Sequence, residues 1–273
     1  MSVNNNALIF HYLSLSKVIG MALRIRPRLA LSISNTLCVK GLMTRFIRLF
    51  DKKTALWQRQ WHHAAMPTLT LPLFPLNTLL FPDGLLHLQI FELRYLTLVK
   101  QCIANGTEFG VVAQTQKESP KTGEPMANEA FTRCGTSAKI VAHSAPMAGL
   151  LRIECVGTRR FEVVSSAQQK LGLWVAQVEP VAADQVVAVP AELEDTVTAL
   201  RNVINTLHSR GGNPEHTLIL PPYRFDDCGW VANRWCELIP MPADQQQGLL
   251  TLDNPLIRLE LVQDMLTEQG LLT

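Results

Sequence analysis

Six cysteines, seven histidines and a scatter of carboxylates are the residues of this 273-residue chain from which chemistry could be built. Cys38, Cys102, Cys134, Cys155, Cys228 and Cys236 include no pair at C-x-x-C spacing. Neither a zinc ribbon nor a thioredoxin-type redox pair is therefore written into the chain. Cys102 falls on the apolar face of a helical repeat, and Cys155 follows Leu151 and Ile153 on one strand face. Both are expected as core thiols of a protein in a reducing compartment. Cys228, Cys236 and His216 could be gathered into a zinc site, but without a recognised spacing. No G-x-x-x-x-G-K-[ST] occurs, because no glycine is followed by lysine, so no backbone cradle for nucleotide phosphates is present. H-E-x-x-H, G-x-S-x-G and G-x-G-x-x-G are absent as well. Nothing marks Ser144, Ser165 or Ser166 as activated nucleophiles. His87, His143, His208 and His216 are scattered and are expected on surfaces or strand faces. Asp226-Asp227 could act as paired carboxylates, but capping a helix is the cheaper role. Arg159-Arg160 could hold an anion, and a solvated turn is the simpler reading. No catalytic, cofactor-binding or metal-binding residue is expected, and no cofactor.

Charge divides the chain into two materials. Residues 1–65 carry ten Lys/Arg against one acid, Asp51, a net of +9, whereas residues 66–273 carry a net of −7. The first part lacks a sustained apolar period and is expected to be a disordered extension. Its uncharged run from Met1 to Ser16 is too short and polar to span a bilayer. Its arginine-rich, acid-poor character is also that of a transit peptide. A third possibility is a basic arm that uses Trp57, Trp61, His62 and His63. The body's negative charge argues against nucleic acid as its ligand, since phosphate binding needs a basic footprint.

The elements that would position any site begin at Leu69. Leu69, Leu71 and Leu73 alternate with Thr70, Pro72 and Phe74, the period of a strand. Pro72 and Pro75 remove ladder donors and place that strand at an edge or bulge. Phe81-Pro82-Asp83-Gly84 reads as a turn. Leu86, Leu88 and Ile90 form a second strand. Leu96, Val99 and Ile103 then fall at helical spacing, with Glu92 at the helix start and Asn105-Gly106 as its stop. Phe109 to Ala113 resumes as a strand.

LPLFPLNTLLFPDGLLHLQIFELRY followed by FGVV resembles the start of the Lon protease N-terminal substrate-binding domain. GTSAKIVAH, GLLRIECVGTRRFEVV and LGLWVAQVEPV resemble its later strands, and DDCGWVANRWCELIPMPADQQQGLLTLDNPLIRLELVQDML resembles the helices that follow them. The resemblance implies an α+β protein: a PUA-like twisted, partly closed β-sheet domain over residues 66–182, then a C-terminal α-helical bundle over 183–273. It implies binding of protein substrates and no catalysis, in a stand-alone form without the ATPase and peptidase domains. One departure is visible: where the family often has a Lys-Gln pair, this chain reads Gln245-Gln246-Gln247.

Read from the residues themselves, Lys117 to Glu129 is a polar loop, and a strand covers Thr132 to His143. Leu151, Ile153 and Cys155 begin another strand, Gly157-Thr158-Arg159 turns the chain, and Leu173 to Val181 is the last strand. Leu193, Val197, Leu200, Ile204 and Leu207 stripe the next helix, which Gly211-Gly212 stops. Asp226 or Asp227 caps a helix through Val231, Trp235 and Leu238. A short helix covers Ala243 to Leu252, and Asn254 with Pro255 opens the last. Trp230 and Trp235 are five residues apart, about 140° around a helix, so both should not face one core; one could be exposed or cover the junction of the two halves as a candidate binding surface, although close packing is the commoner outcome for a Trp.

The function expected is a non-catalytic protein- or peptide-binding module, cytoplasmic, possessing no membrane span, that serves as a quality-control adaptor. The partners would be unfolded or extended protein segments, held on a surface around Phe91, Tyr95 and Trp230. The alternative is an RNA-binding protein that uses the basic arm. Neither the client nor the oligomeric state is legible in the chain.

Overall fold

A computed structural model of the protein describes residues 68–115, 131–209 and 219–272. Residues 1–65, the polar loop at Lys117–Glu129, Gly211-Gly212 and His216 lie outside the described residues. Among the described residues the strands are β1 Leu69–Leu76, β2 Leu85–Ile90, β3 Phe109–Ala113, β4 Cys134–Met147, β5 Leu150–Gln168 and β6 Trp174–Pro180. The helices are α1 Leu93–Asn105, α2 Glu194–Ser209, α3 Cys228–Leu238, α4 Ala243–Thr251 and α5 Pro255–Glu268. The architecture is α+β: one six-stranded mixed sheet, then helices. No helix among these residues is long and apolar enough to cross a membrane.

The strand order is β2-β5-β4-β3-β1-β6, and β5 also pairs with β6, which closes the sheet on itself. Only β1 and β3 run parallel, and α1 lies in the crossover between them. The closure needs a strand with two sets of partners, and β5 is that strand. Its first part pairs with β2 through Leu151–Val156, and its last part pairs with β6 through Phe161–Gln168. The expected turn at Gly157-Thr158-Arg159 is therefore not a turn. β5 passes through it as a bulge of its own, advancing three residues from Gly157 to Arg160 while β4 advances two between Ala138 and Thr136. Gly157 is needed there because a Cβ would collide with the carbonyl oxygen of Phe81. A glycine that admits a crossing chain reads like a turn residue until the crossing chain is known.

The first strand also departs from expectation. β1 is internal, between β3 and β6. Its prolines are tolerated because the pairing is staggered: β6 covers Leu69–Leu73, and β3 covers Leu73–Leu76. Pro72 and Pro75 each sit where the strand has one partner. Alternation fails in its second half, since Leu73 packs with Val112 and Phe161 while Phe74 packs beneath α1.

Local chemistry shapes the helices as read. Gly106 takes a left-handed φ of 63° to end α1. Asp227 caps α3 by accepting from Gly229 N at 3.0 Å. Asn254 Oδ1 accepts from Leu256 N and Ile257 N, with Pro255 in the first turn of α5. The two tryptophans do face one core, and Trp230 is not at a surface. Both Trp230 and Trp235 are buried, because α3 is enclosed on nearly every side by α2, α4, α5 and the β1–β2 turn. Trp235 Nε1 donates to Thr196 O of α2 at 3.0 Å, which satisfies its polar atom inside the core.

Two guanidinium groups tie the sheet to the helices. Arg160 on β5 pairs with Asp184 at 2.9 Å and donates to Leu250 O at 2.9 Å. Arg258 on α5 pairs with the same Asp184 at 2.6 Å and bonds Asn233 Oδ1, Leu249 O and Leu252 O. Arg160 was expected in a solvated turn. It is buried instead, because the carboxylate and carbonyls that compensate it come from segments 24 and 90 residues away. The glutamine triplet also works inside the fold: Gln246 Nε2 donates to Cys236 O at 2.9 Å, and Gln247 Nε2 to Cys134 O at 3.1 Å.

Candidate functional site

The N-terminus of α1 stands where β2 ends, and its surroundings are the least covered apolar part of the sheet. Phe91 is 62% exposed, Leu93 66%, Met147 64% and Leu171 69%. Strand register explains how they meet. Ile90 of β2 pairs with Leu151 of β5, and Leu150 pairs with Met147 of β4. Phe91, Leu150 and Met147 therefore lie at one level across three adjacent strands. Alternation puts them on the face opposite Ile90 and Leu151, which point into the core.

The other rim is the turn between β5 and β6. Arg94 donates to Gly172 O at 3.1 Å while it pairs with Glu92 at 2.8 Å. That holds the turn against the first turn of α1. Gln168 Nε2 bonds the same carbonyl at 3.3 Å. Leu171, inside this turn, adopts φ 65° and ψ 6°, a left-handed conformation in which a branched apolar side chain is disfavoured. The tie imposes that conformation and leaves Leu171 facing solvent.

Of the residues expected at a binding surface, the structure places only Phe91 in the open. Tyr95 is 6% exposed and stacks on Phe74 with ring centroids 3.9 Å apart and planes 11° from parallel. The guanidinium of Arg94 covers its other side at 4.6 Å. Tyr95 supports Arg94 from below. Trp230 is 2% exposed and belongs to the helical core, edge-on to Phe225 at 5.4 Å. It is not brought together with Phe91. Leu93, Met147 and Leu171 were missed. Leu93 and Met147 begin or end regular elements and carry no signal of exposure. Leu171-Gly172 could have been noticed as a glycine pairing within a short connection.

The outer edge of β4 beyond Ala138 has no strand partner among the described residues. Bulges at Ile140/Ala142 and Ser144/Met147, together with Pro146, blunt it against further strand pairing. Side chains, not an open ladder, are what this end of the sheet offers a ligand.

Chemically reactive groups are not assembled here or elsewhere in the described residues. Among the described residues no three His, Cys, Asp or Glu side chains stand close enough to share a metal. Burial pushes the thiols of Cys155 and Cys236 up to about 12, and that of Cys134 up to about 11. His87 lies 3.9 Å from Glu154, and His208 contacts the Tyr223 hydroxyl at 3.2 Å.

The sequence matches the family of ATP-dependent protease La (LON) substrate-binding domains over residues 70–268. The chain belongs to that family. Among solved structures it is similar to a Lon N-terminal domain protein from Xanthomonas campestris. The identity is 28% and the TM-score 0.55, and the match covers 72% of this chain and 98% of that one. It is also similar to the N-terminal domain of the Mycobacterium avium complex Lon protease, at 14% identity and a TM-score of 0.48, covering 72% and 97%. No curated protein matches the sequence.

Proposed function

We propose that the protein is a binding module without chemistry of its own, and that it takes exposed apolar, extended segments of other proteins. The surface consists of Phe91, Leu93, Met147 and Leu171 around the Glu92–Arg94 pair. One observation carries this reading: in a substrate-binding-domain family member, four large apolar side chains, each more than 60% exposed, lie on segments that the strand register and the Arg94–Gly172 bond connect to the start of α1. Soluble proteins scatter such exposures singly and seldom group them. The left-handed Leu171 adds weight, because strained backbone that is over-determined by its surroundings gathers at functional sites. An unfolded client offers apolar side chains that a folded one hides, so the surface selects by folding state. The role is that of an adaptor in protein quality control, acting in the cytoplasm. Its buried free thiols suit a reducing compartment.

The test is binding of the full chain to a carboxymethylated, permanently unfolded protein and to its folded parent. The unfolded form should bind and the folded form should not. Phe91→Asp combined with Leu171→Asp should weaken binding at least tenfold, since each anchor is worth about 1–3 kcal/mol, while circular dichroism stays unchanged. Equal, negligible binding to both proteins would overturn the reading. Salt-sensitive RNA binding that disappears without residues 1–65 would favour the basic arm as the functional part.

A further inference from the structure

Among the described residues the sheet has two open edges: β4 beyond Ala138, and β2, which pairs with β5 alone. They are built differently. β4 carries two bulges and Pro146 along its open stretch, devices that keep an edge from pairing with another chain. On that side the sheet offers side chains only. β2, on the other side of β5, carries no such device. Its sequence, LLHLQI, holds no proline, lysine or acidic residue, and its register with β5 runs unbroken from Leu85–Val156 to Ile90–Leu151. Six residues is an ordinary strand length, so shortness does not protect it either.

Ladder parity fixes which groups of β2 are on offer. Gly157 N donates to Gly84 O at 2.9 Å, so these two residues form a hydrogen-bonded pair of the antiparallel ladder. Bonded and non-bonded pairs alternate along such a ladder. Leu86, Leu88 and Ile90 therefore bond to β5, and Leu85 and Gln89 turn their amide and carbonyl groups outward. Neither has another backbone partner among the described residues. Gln89 is exposed, as is Phe91, which follows the strand. The edge is also held at both ends. Before it, Arg234 of α3 donates to the carbonyls of Pro82 and Asp83, and Glu237 accepts from Phe81 N at 3.2 Å. After it, Arg94 ties the start of α1 to Gly172 O.

We propose that an extended client segment binds by adding to the sheet as a further strand beside β2. The inference deepens the binding-module reading and rests on it for the occupant. Continuity favours a client over a second copy of this chain. The open edge runs directly into Phe91, so one extended chain lying along β2 continues onto the exposed apolar side chains beyond it. Two copies paired through β2 would each cover the other's approach to Phe91. The ladder bonds are made to the client's backbone and are indifferent to its sequence, while alternate side chains of the added strand meet Phe91 and its neighbours. The segment such an edge takes is about six residues long, roughly 20 Å when extended. It is rich in β-branched and aromatic residues and free of proline, which has no amide to give. Folded proteins keep such segments inside their own sheets, and unfolded ones expose them.

The experiment uses the full chain and a synthetic peptide of alternating valine and threonine with one central phenylalanine and a lysine at each end. At saturating peptide, amide exchange at Leu85 and Gln89 should slow at least tenfold. The same peptide N-methylated at two adjacent central residues, which blocks both of its edges and keeps its side chains, should bind at least tenfold more weakly. Gln89→Pro removes an outward amide and no bond to β5. It should weaken the unmodified peptide at least tenfold with circular dichroism unchanged. Should that variant not fold, the exchange profile and the N-methylated peptide still decide. Undiminished binding of the N-methylated peptide, or no slowing at Leu85 and Gln89, would overturn strand addition and leave the side-chain surface standing. So would a peptide that fails to bind where the carboxymethylated protein binds. Dimerisation of the free chain that Gln89→Pro abolishes would make a second copy the occupant and overturn the proposal. Absence of binding by both the peptide and the carboxymethylated protein would overturn the binding-module reading itself, and strand addition with it.

Discussion

The sheet half and the helical half treat awkward side chains in opposite ways. The sheet half leaves Phe91, Leu93, Met147 and Leu171 exposed. The helical half buries two guanidinium groups, Arg234 and Arg258, that are 1% exposed each, and encloses a third, Arg160, where it meets the sheet. Apolar area left in water costs free energy unless a ligand covers it. Charge taken out of water costs more unless every donor finds an acceptor. The first cost is kept open in the sheet, and the second is offset in the bundle by carbonyls, Asp184 and Glu237, although Arg234 Nε finds no acceptor among the described residues. On the proposed reading, one half presents a surface and the other supports it.

Mutations can break this contrast. The largest effect should come from the sheet's own core. Leu88→Asp or Val99→Asp buries an unpaired charge between α1 and the strands, and should abolish folding, seen as loss of circular dichroism and solubility. Next is Arg258→Ala, which leaves Asp184 with only Arg160 as its guanidinium partner, strips the carbonyls of Leu249 and Leu252 of their guanidinium donor and should cost about 3 kcal/mol in urea unfolding. Phe91→Asp, by contrast, should change stability by about 0.5 kcal/mol or less. If the two variants were equally destabilising, the division into presenting and supporting halves would fall. Asn254→Ala removes the cap of α5 and should cost about 1 kcal/mol.

The smallest effect is kinetic. With Cys155 and Cys236 held up to about 12 by burial, neither forms appreciable thiolate at pH 8. Native protein should resist alkylation there, and both thiols should react at once in denaturant. Rapid labelling of Cys236 in native protein would show the helical half to be more open than its packing indicates.

Much of the fold was legible because its signals are local. Asp227, Asn254-Pro255 and Gly106 announce helix ends through groups within four residues of themselves. The family resemblance was carried by residues at constant spacing and covered both halves. Gly157 and Arg160 misled because their partners lie far away in sequence: Phe81 and Leu250. Of the candidate surface, Phe91 was legible as an aromatic at a period change. Tyr95 and Trp230 were not distinguishable from it by residue type alone, since exposure depends on what packs above a side chain.

Composition and periodicity by themselves determined that this chain makes strands followed by helices, where the helices begin and end, and that common catalytic motifs are absent. Those properties depend on backbone preferences and on neighbours one turn or one strand away. Only the tertiary structure decided that β5 closes the sheet, that Pro72 and Pro75 lie inside it, and that the β1–β2 turn is locked under Arg234 and Glu237. It also decided which apolar side chains are left over. Leu171 becomes part of a surface only because Arg94, 78 positions from Gly172, reaches across to hold the turn. A contact of that range is set by the whole chain's packing, and no local segment contains it.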